Sequence, residues 1–157
     1  MNKDYDVIIL SGGFDPLHVG HVRMIQSASM MADEVIVGIN SDDWLMRKKG
    51  YVFMPWDERL AIIVELESVY GAMKFNDDDN TAGDLIKKVC KQRRAANLEC
   101  KIAFGNGGDR TGENTPESQT CFFSNVDMVW GVGGDYKVQS SSSLVKKWRE
   151  GNEKPTS

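Results

Sequence analysis

The feature that most constrains this chain is an abrupt change of pattern between residues 7 and 21. The apolar run Val7-Ile8-Ile9-Leu10 ends in Ser11-Gly12-Gly13-Phe14-Asp15-Pro16, and Leu17-His18-Val19-Gly20-His21 then opens a segment of helical periodicity. A short apolar run bounded by glycines predicts a strand buried on both faces. A strand that turns through paired glycines into a helix offers backbone N–H groups at the helix start, where the macrodipole also favours negative charge. The stretch therefore predicts an anion site, and phosphate is the anion it implies. Both histidines of the chain fall in it, three positions apart. Side chains at i and i+3 share a helix face, so both imidazoles are expected to address the same phosphate oxygens. A shared zinc ion is the competing use of such a pair. Structural zinc takes four protein ligands, and Cys90, Cys100 and Cys121 show no paired spacing nearby, so no protein-held metal is expected.

Strand and helix signals alternate along the rest of the chain, which predicts an α/β, Rossmann-like three-layer α/β/α fold with a five-stranded parallel sheet. Strands are expected over 6–10, 34–39, 72–75, 101–104 and 126–130. The first helix is expected over 19–31, with Val22, Ile25, Ser29 and Ala32 as its inner stripe, and a short helical turn over 41–46. Asp57 is read as the cap of a helix carrying Ile62, Leu66 and Val69, and Leu85, Ile86, Val89 and Cys90 mark the next one. Thr115-Pro116-Glu117 predicts a short helix to about 124, and the serine run 140–143 caps a last helix ending near 150. A single domain over 1–150 and a polar tail over 151–157 follow. The acidic run Asp77-Asp78-Asp79 is read as capping and solvation rather than as a cation site. Gly107-Gly108-Asp109 recurs as Gly133-Gly134-Asp135, each after a predicted strand, where either a tight turn or a ligand at the carboxyl edge of the sheet fits.

A net charge of −4 argues against a nucleic-acid surface, so phosphate recognition must be local. Basic residues gather at Arg47-Lys48-Lys49, whereas Lys87, Lys88 and 91–94 fall on a predicted helix and are read as solvated. No apolar stretch approaches the ~20 residues a membrane span needs, and the first residues lack a signal-peptide pattern. An odd count of three cysteines without a framework spacing agrees with a reducing compartment. A cytoplasmic protein without membrane or nucleic-acid partners is expected.

The motif Gly12-Gly13-Phe14-Asp15-Pro16-Leu17-His18-Val19-Gly20-His21 resembles the Gly-x-Phe-Asp-x-x-His-x-Gly-His signature of the cytidylyltransferase-like nucleotidyltransferases. The likeness continues through Asn40-Ser41-Asp42, which resembles the exit of the second strand in glycerol-phosphate and heptose-phosphate members. It extends through Arg47-Lys48-Lys49-Gly50, similar to a lysine loop, Glu58-Arg59 at a helix start, and Ser140-Ser141-Ser142-Ser143, similar to the segment that closes on a triphosphate. The resemblance implies transfer of a nucleotidyl group from a nucleoside triphosphate to a small phosphorylated acceptor, with pyrophosphate released and Mg²⁺ bound through substrate phosphates. It implies catalytic roles for His18, His21, Lys48 and Lys49, and nucleotide contacts from Gly12, Gly13, Phe14, Asp15, Gly20, Asp109 and Ser140 to Ser143. Arg59, Arg110 and Lys137 are implied for the acceptor, and a homodimer is implied as the assembly. Asp15 is open to two uses, a hydrogen-bond acceptor that stabilises the loop or a metal helper.

Members that use CTP on glycerol phosphate carry Arg-Thr-x-Gly before the final serine and threonines, whereas this chain has Asp135-Tyr136-Lys137-Val138-Gln139. Lys137 in that place lacks the two-pronged geometry of arginine. CTP is favoured slightly as the donor, with glycerol 3-phosphate or a sugar phosphate as acceptor; an adenylyltransferase using ATP on a heptose phosphate, phosphopantetheine or a mononucleotide is the alternative, and a non-catalytic nucleotide-binding module is the reading from another class.

Overall fold

The computed structural model describes residues 2–107, 115–134 and 140–152. Five strands, β1 (Tyr5–Gly12), β2 (Ala32–Ile39), β3 (Gly71–Met73), β4 (Ile102–Gly105) and β5 (Asp127–Val129), form one sheet in the order β3-β2-β1-β4-β5. Every neighbouring pair is parallel. Helices α1 (Val19–Ser29), α2 (Asp42–Lys49), α3 (Trp56–Ile63), α4 (Gly83–Ala96), α5 (Ser118–Phe123) and α6 (Ser141–Asn152) complete the described elements. The predicted Rossmann-like three-layer arrangement is present.

Alternation along the central strand divides the core into two. Val7 and Ile9 pack with Ile36, Ile102 and Phe104 against Leu85, Ile86 and Val89 of α4. Ile8 and Leu10 pack on the opposite face with Val35, Val37, Ile25 and Ala28 of α1, and Ile63 of α3. A strand whose successive side chains point to opposite faces must be apolar throughout when both faces are covered, which is why residues 7–10 read as an unbroken run. At Gly38 a Cβ would come within 2.3 Å of Leu85 Cδ2, so α4 packs closely enough there that any larger residue must displace the buried Leu85 side chain.

Several boundaries differ from expectation. β1 continues to Gly12 because Ser11 and Gly12 still pair with Gly38 and Ile39, and Ala32 lies in β2 opposite Tyr5 rather than on the inner stripe of α1. The segment after β2 is a helix of 8 residues rather than a short turn, closed by Gly50 at φ 81, so Lys48 and Lys49 stand in its last turn and not in a loop. α3 is capped by Pro55, with Asp57 inside its first turn. It stops at Ile63, although Leu66 and Val69 still pack against the core. α5 begins one residue after Glu117, and α6 runs on to Asn152. Among the described residues no helix is long and apolar enough to cross a membrane.

The chain moves outward from β1 to β3 on one side and restarts at β4 on the other, which puts the topological switch between β1 and β4. Ligands of open parallel sheets lie beyond the carboxyl ends of the strands at such a switch.

Candidate active site

A cavity of about 470 Å³ opens at that point. Its walls are Ser11 and Gly12 from β1, His18, Gly20 and His21 from α1, and Trp44, Lys48 and Lys49 from α2. Asn80 to Ala82, Gly105 to Gly107, Val132 to Gly134 and Ser140 to Ser142 complete most of it.

The two histidines are built into the helix start. His18 is the N-cap of α1, and its Nδ1 accepts the N–H of Gly20 at 3.0 Å. His21 returns the favour: its Nδ1 accepts the N–H of His18 at 3.2 Å, so the imidazoles form a reciprocal capping box. With both Nδ1 atoms accepting, the proton of each neutral ring resides on Nε2. The rings stack at 3.7 Å with 25° between their planes, and the edge of Phe14 meets His21 at 4.8 Å. Two stacked rings, each with its Nδ1 engaged by the backbone, thus stand side by side at one helix terminus. On α2, Lys48 Nζ lies 5.0 Å from the centre of the Trp44 ring, a cation held against an aromatic face beside the cavity.

The loop between Gly12 and His18 is held from behind. Phe14, at φ 52, turns its ring into the core, is 2% exposed and packs beneath Gly12 and His21. Asp15 is fully buried and accepts the N–H groups of Phe53 and Met54 at 2.7 and 2.6 Å. Of its two uses the structure shows the loop-stabilising one. Gly13 gives its carbonyl to Arg59 and packs by Leu45.

Arg59 is the largest correction. Its guanidinium is fully buried and donates to the carbonyls of Met54, Gly13 and Asn40 and to Asp42 Oδ1, at 2.6–2.9 Å. A group with no exposed surface and four partners joins the glycine turn to the start of α2; it does not reach an acceptor.

At the opposite wall the serine run splits its work. Ser141 Oγ donates to Pro16 O at 2.7 Å and ties α6 to the glycine loop, while Ser140 Oγ accepts the N–H of Ser143 at 3.0 Å as a cap. Ser140, Ser141 and Ser142 line the cavity, and the Ser143 hydroxyl accepts from Ser140. Asp109, Arg110 and Lys137 lie outside the described residues. Asn40, which the sequence marks only as part of the stretch after the second strand, also lines the cavity, as do Trp44, Asn80, Asn106 and Glu117, for which the sequence implies no site role. Asn40 sits directly past the end of β2, a position that could have marked it; Glu117 is 3% exposed and accepts the N–H of Ala82, a contact with no local signal.

The cysteines take no part. All three are buried free thiols, and burial pushes each above its ordinary pKa, Cys121 to about 12, which is opposite to what a nucleophile needs.

A family model described as cytidylyltransferase-like matches residues 9–150. The chain belongs to this family. It is 32% identical over 149 residues to the bifunctional protein HldE of Pasteurella multocida, a match covering 90% of this chain and 27% of that protein. The chain therefore spans about a quarter of the length of such curated relatives. Among solved structures, a lipopolysaccharide core biosynthesis protein from Thermoplasma volcanium aligns with a TM-score of 0.58 and 24% identity, over 80% of this chain and 95% of that one. A bifunctional NMN adenylyltransferase/ADP ribose pyrophosphatase from Francisella tularensis, solved with AMP and a manganese ion, aligns with a TM-score of 0.62 and 19% identity, over 94% of this chain and 42% of that one. At these identities the two neighbours speak for the shared fold.

Proposed function

We propose that this chain transfers a nucleotidyl group from a nucleoside triphosphate, CTP by preference, to a small phosphorylated acceptor such as glycerol 3-phosphate or a sugar phosphate. A phosphate oxygen of the acceptor attacks the α-phosphorus; the new P–O bond forms as the bond to the bridging oxygen breaks, and pyrophosphate departs with the electron pair. A phosphomonoester has its second pKa near ~6, so the nucleophile is ionised at neutral pH and no strong base is needed. Catalysis then rests on alignment and on stabilising charge at phosphorus.

The observation that carries this reading is the pair of stacked imidazoles whose Nδ1 atoms cap α1, leaving Nε2–H as the donor of each ring. On this reading His18 and His21 donate to phosphate oxygens as charge builds, and the Gly12 backbone lets the triphosphate approach. Lys48 and Lys49 neutralise phosphate charge from the end of α2, and the start of α6 receives the pyrophosphate. Among the described residues no group of three His, Cys, Asp or Glu side chains is placed to hold a metal, and Glu117 is the single carboxylate on the cavity wall. That donor set fits Mg²⁺ carried in by phosphate oxygens, where it would supply charge neutralisation at the triphosphate.

ATP as donor is the second reading, favoured by the occurrence of this fold in an adenylyltransferase solved with AMP. The test is a matrix of CTP, ATP, GTP and UTP against glycerol 3-phosphate, sugar phosphates and mononucleotides, with pyrophosphate release as the readout. Release with one donor and one acceptor class is the expected result. No release from any pair, with triphosphate binding intact, would leave a nucleotide-binding module instead.

A further inference from the structure

The acidic run after β3 is not uniform. Asp78 and Asp79 are exposed, and Asp79 serves a local turn by accepting from the N–H and hydroxyl of Thr81. Asp77 is 2% exposed, and its carboxylate faces the end of β2 across 36–37 residues of sequence. Its Oδ2 accepts the N–H of Ser41 at 2.8 Å and the side-chain amide of Asn40 at 3.1 Å, and its Oδ1 accepts the Ser41 hydroxyl at 2.7 Å.

These bonds reach the cavity by two routes. The Ser41 hydroxyl donates its O–H to Asp77 and accepts the N–H of Trp44 at 3.0 Å, so it caps α2. Arg47 of the same helix returns to the backbone carbonyl of Asp77 at 2.8 Å and to Asn80 Oδ1 at 3.2 Å. The helix that carries Trp44, Lys48 and Lys49 is thus pinned to the 77–80 loop through its cap and its last turn. Asn40, on the cavity wall, has its amide nitrogen committed to Asp77, which sets which end of the amide points the other way.

We propose that Asp77 is a positioning residue for the transfer reaction, holding the lysine-bearing helix and the Asn40 amide in register with the phosphates. The proposal rests on the nucleotidyl-transfer reading given above. It requires no contact between Asp77 and substrate. Its carboxylate accepts three donors, two on Oδ2 and the Ser41 hydroxyl on Oδ1; an amide in its place turns an N–H₂ toward that hydroxyl, which must then accept and give up its own O–H bond while it also caps Trp44.

The experiment compares Asp77→Asn with Asp78→Asn at 20 °C, after circular dichroism shows both folded. Pyrophosphate release is measured with CTP or ATP and glycerol 3-phosphate or a sugar phosphate, and hydrogen exchange is followed over residues 42–49. Asp77→Asn should lower kcat about tenfold or more, the scale of a small misplacement, and speed exchange in α2; Asp78→Asn should stay within twofold on both. A kcat within twofold for Asp77→Asn, or unchanged exchange over α2, overturns the proposal even if the melting temperature falls. If Asp77→Asn does not fold, Ser41→Ala cuts the same link and should lower kcat in the folded enzyme; unchanged kcat there overturns the proposal as well. Absence of release by the unaltered protein refutes the transfer reading itself, and the exchange comparison then still decides whether Asp77 positions α2.

Discussion

Replacing His18 separates the two jobs the ring performs, because the cap uses Nδ1 and the proposed phosphate contact uses Nε2. Asparagine places an oxygen where Nδ1 lies and is among the best N-cap residues, but it has no atom at Nε2. Glutamine reaches the ε position with an N–H₂ and gives up the acceptor at δ. Losing the cap costs about 1 kcal/mol, which in a chain of this length is a melting-temperature drop of ~2–4 °C. Losing a donor to charge that develops in the transition state costs about 2.7–4 kcal/mol, or 10²–10³ in kcat. His18→Asn is therefore expected to melt within about 2 °C of the parent while kcat for pyrophosphate release falls at least ~100-fold with little change in triphosphate affinity. His18→Gln should lose the melting temperature and retain more kcat than the asparagine variant, and His18→Ala should lose both. Steady-state pyrophosphate assays beside thermal melts read all three. Near-parental kcat in His18→Asn would refute the Nε2 role and leave the histidine as a cap alone.

Three further outcomes follow from packing and charge. Arg59→Met orphans the buried carbonyls of Gly13, Asn40 and Met54 and should destabilise the fold by about 3–5 kcal/mol; Arg59→Lys should not restore it, because one ammonium cannot span those directions, and a melt within 3 °C of the parent (~1 kcal/mol) would contradict the assignment. Gly38→Ala drives a methyl into Leu85 and should cost about 1–3 kcal/mol, with the Gly38→Ala/Leu85→Ala double variant losing less than the sum of the two in denaturant unfolding. The Cys121 thiol is pushed up from 9.0 to about 12 by burial, so its contribution to stability is complete below about 9 and is lost as pH climbs through that window. The stability of Cys121→Ala relative to the parent should therefore improve between pH 9 and 11, and parallel pH profiles would count against the burial argument.

The parts of the fold legible in sequence are those whose cause is local. β1, β2 and β4 announced themselves because strands covered on both faces cannot alternate, and the start of α1 did so because a cap, a glycine turn and two histidines crowd into ten residues. α3 was over-extended for an equally physical reason: Leu66 and Val69 keep helical spacing and still pack inward, but the chain delivers them through turns instead of a continued helix. The lysine segment was read as a loop because Gly50 closes α2 only after both lysines, and a left-handed glycine marks a helix end only once the helix before it is known.

Charged residues were misjudged where their partners are distant in sequence. The resemblance points Arg59 at an acceptor and the sequence points Asp77 at capping and solvation, yet Arg59 bonds to Gly13 across 46 residues and Asp77 to Asn40 across 37. The backbone groups at the ends of β1 and β2 are what attract them: once a strand leaves the sheet, its carbonyls and N–H groups lose ladder partners and, being buried, must find others. Arg59 supplies donors to the carbonyls of Gly13 and Asn40, and Asp77 accepts the N–H of Ser41 together with the Ser41 hydroxyl and the Asn40 amide, so two buried charged side chains at the carboxyl edge of the sheet are engaged by the strand ends. The polar groups on the cavity wall come from α1, α2 and the start of α6 and from the segments that supply Asn80, Thr81, Asn106 and Glu117. A charged residue near a predicted phosphate site therefore has two competing uses. The choice depends on which buried backbone groups the strand ends leave unsatisfied, a quantity that exists only after the sheet has formed.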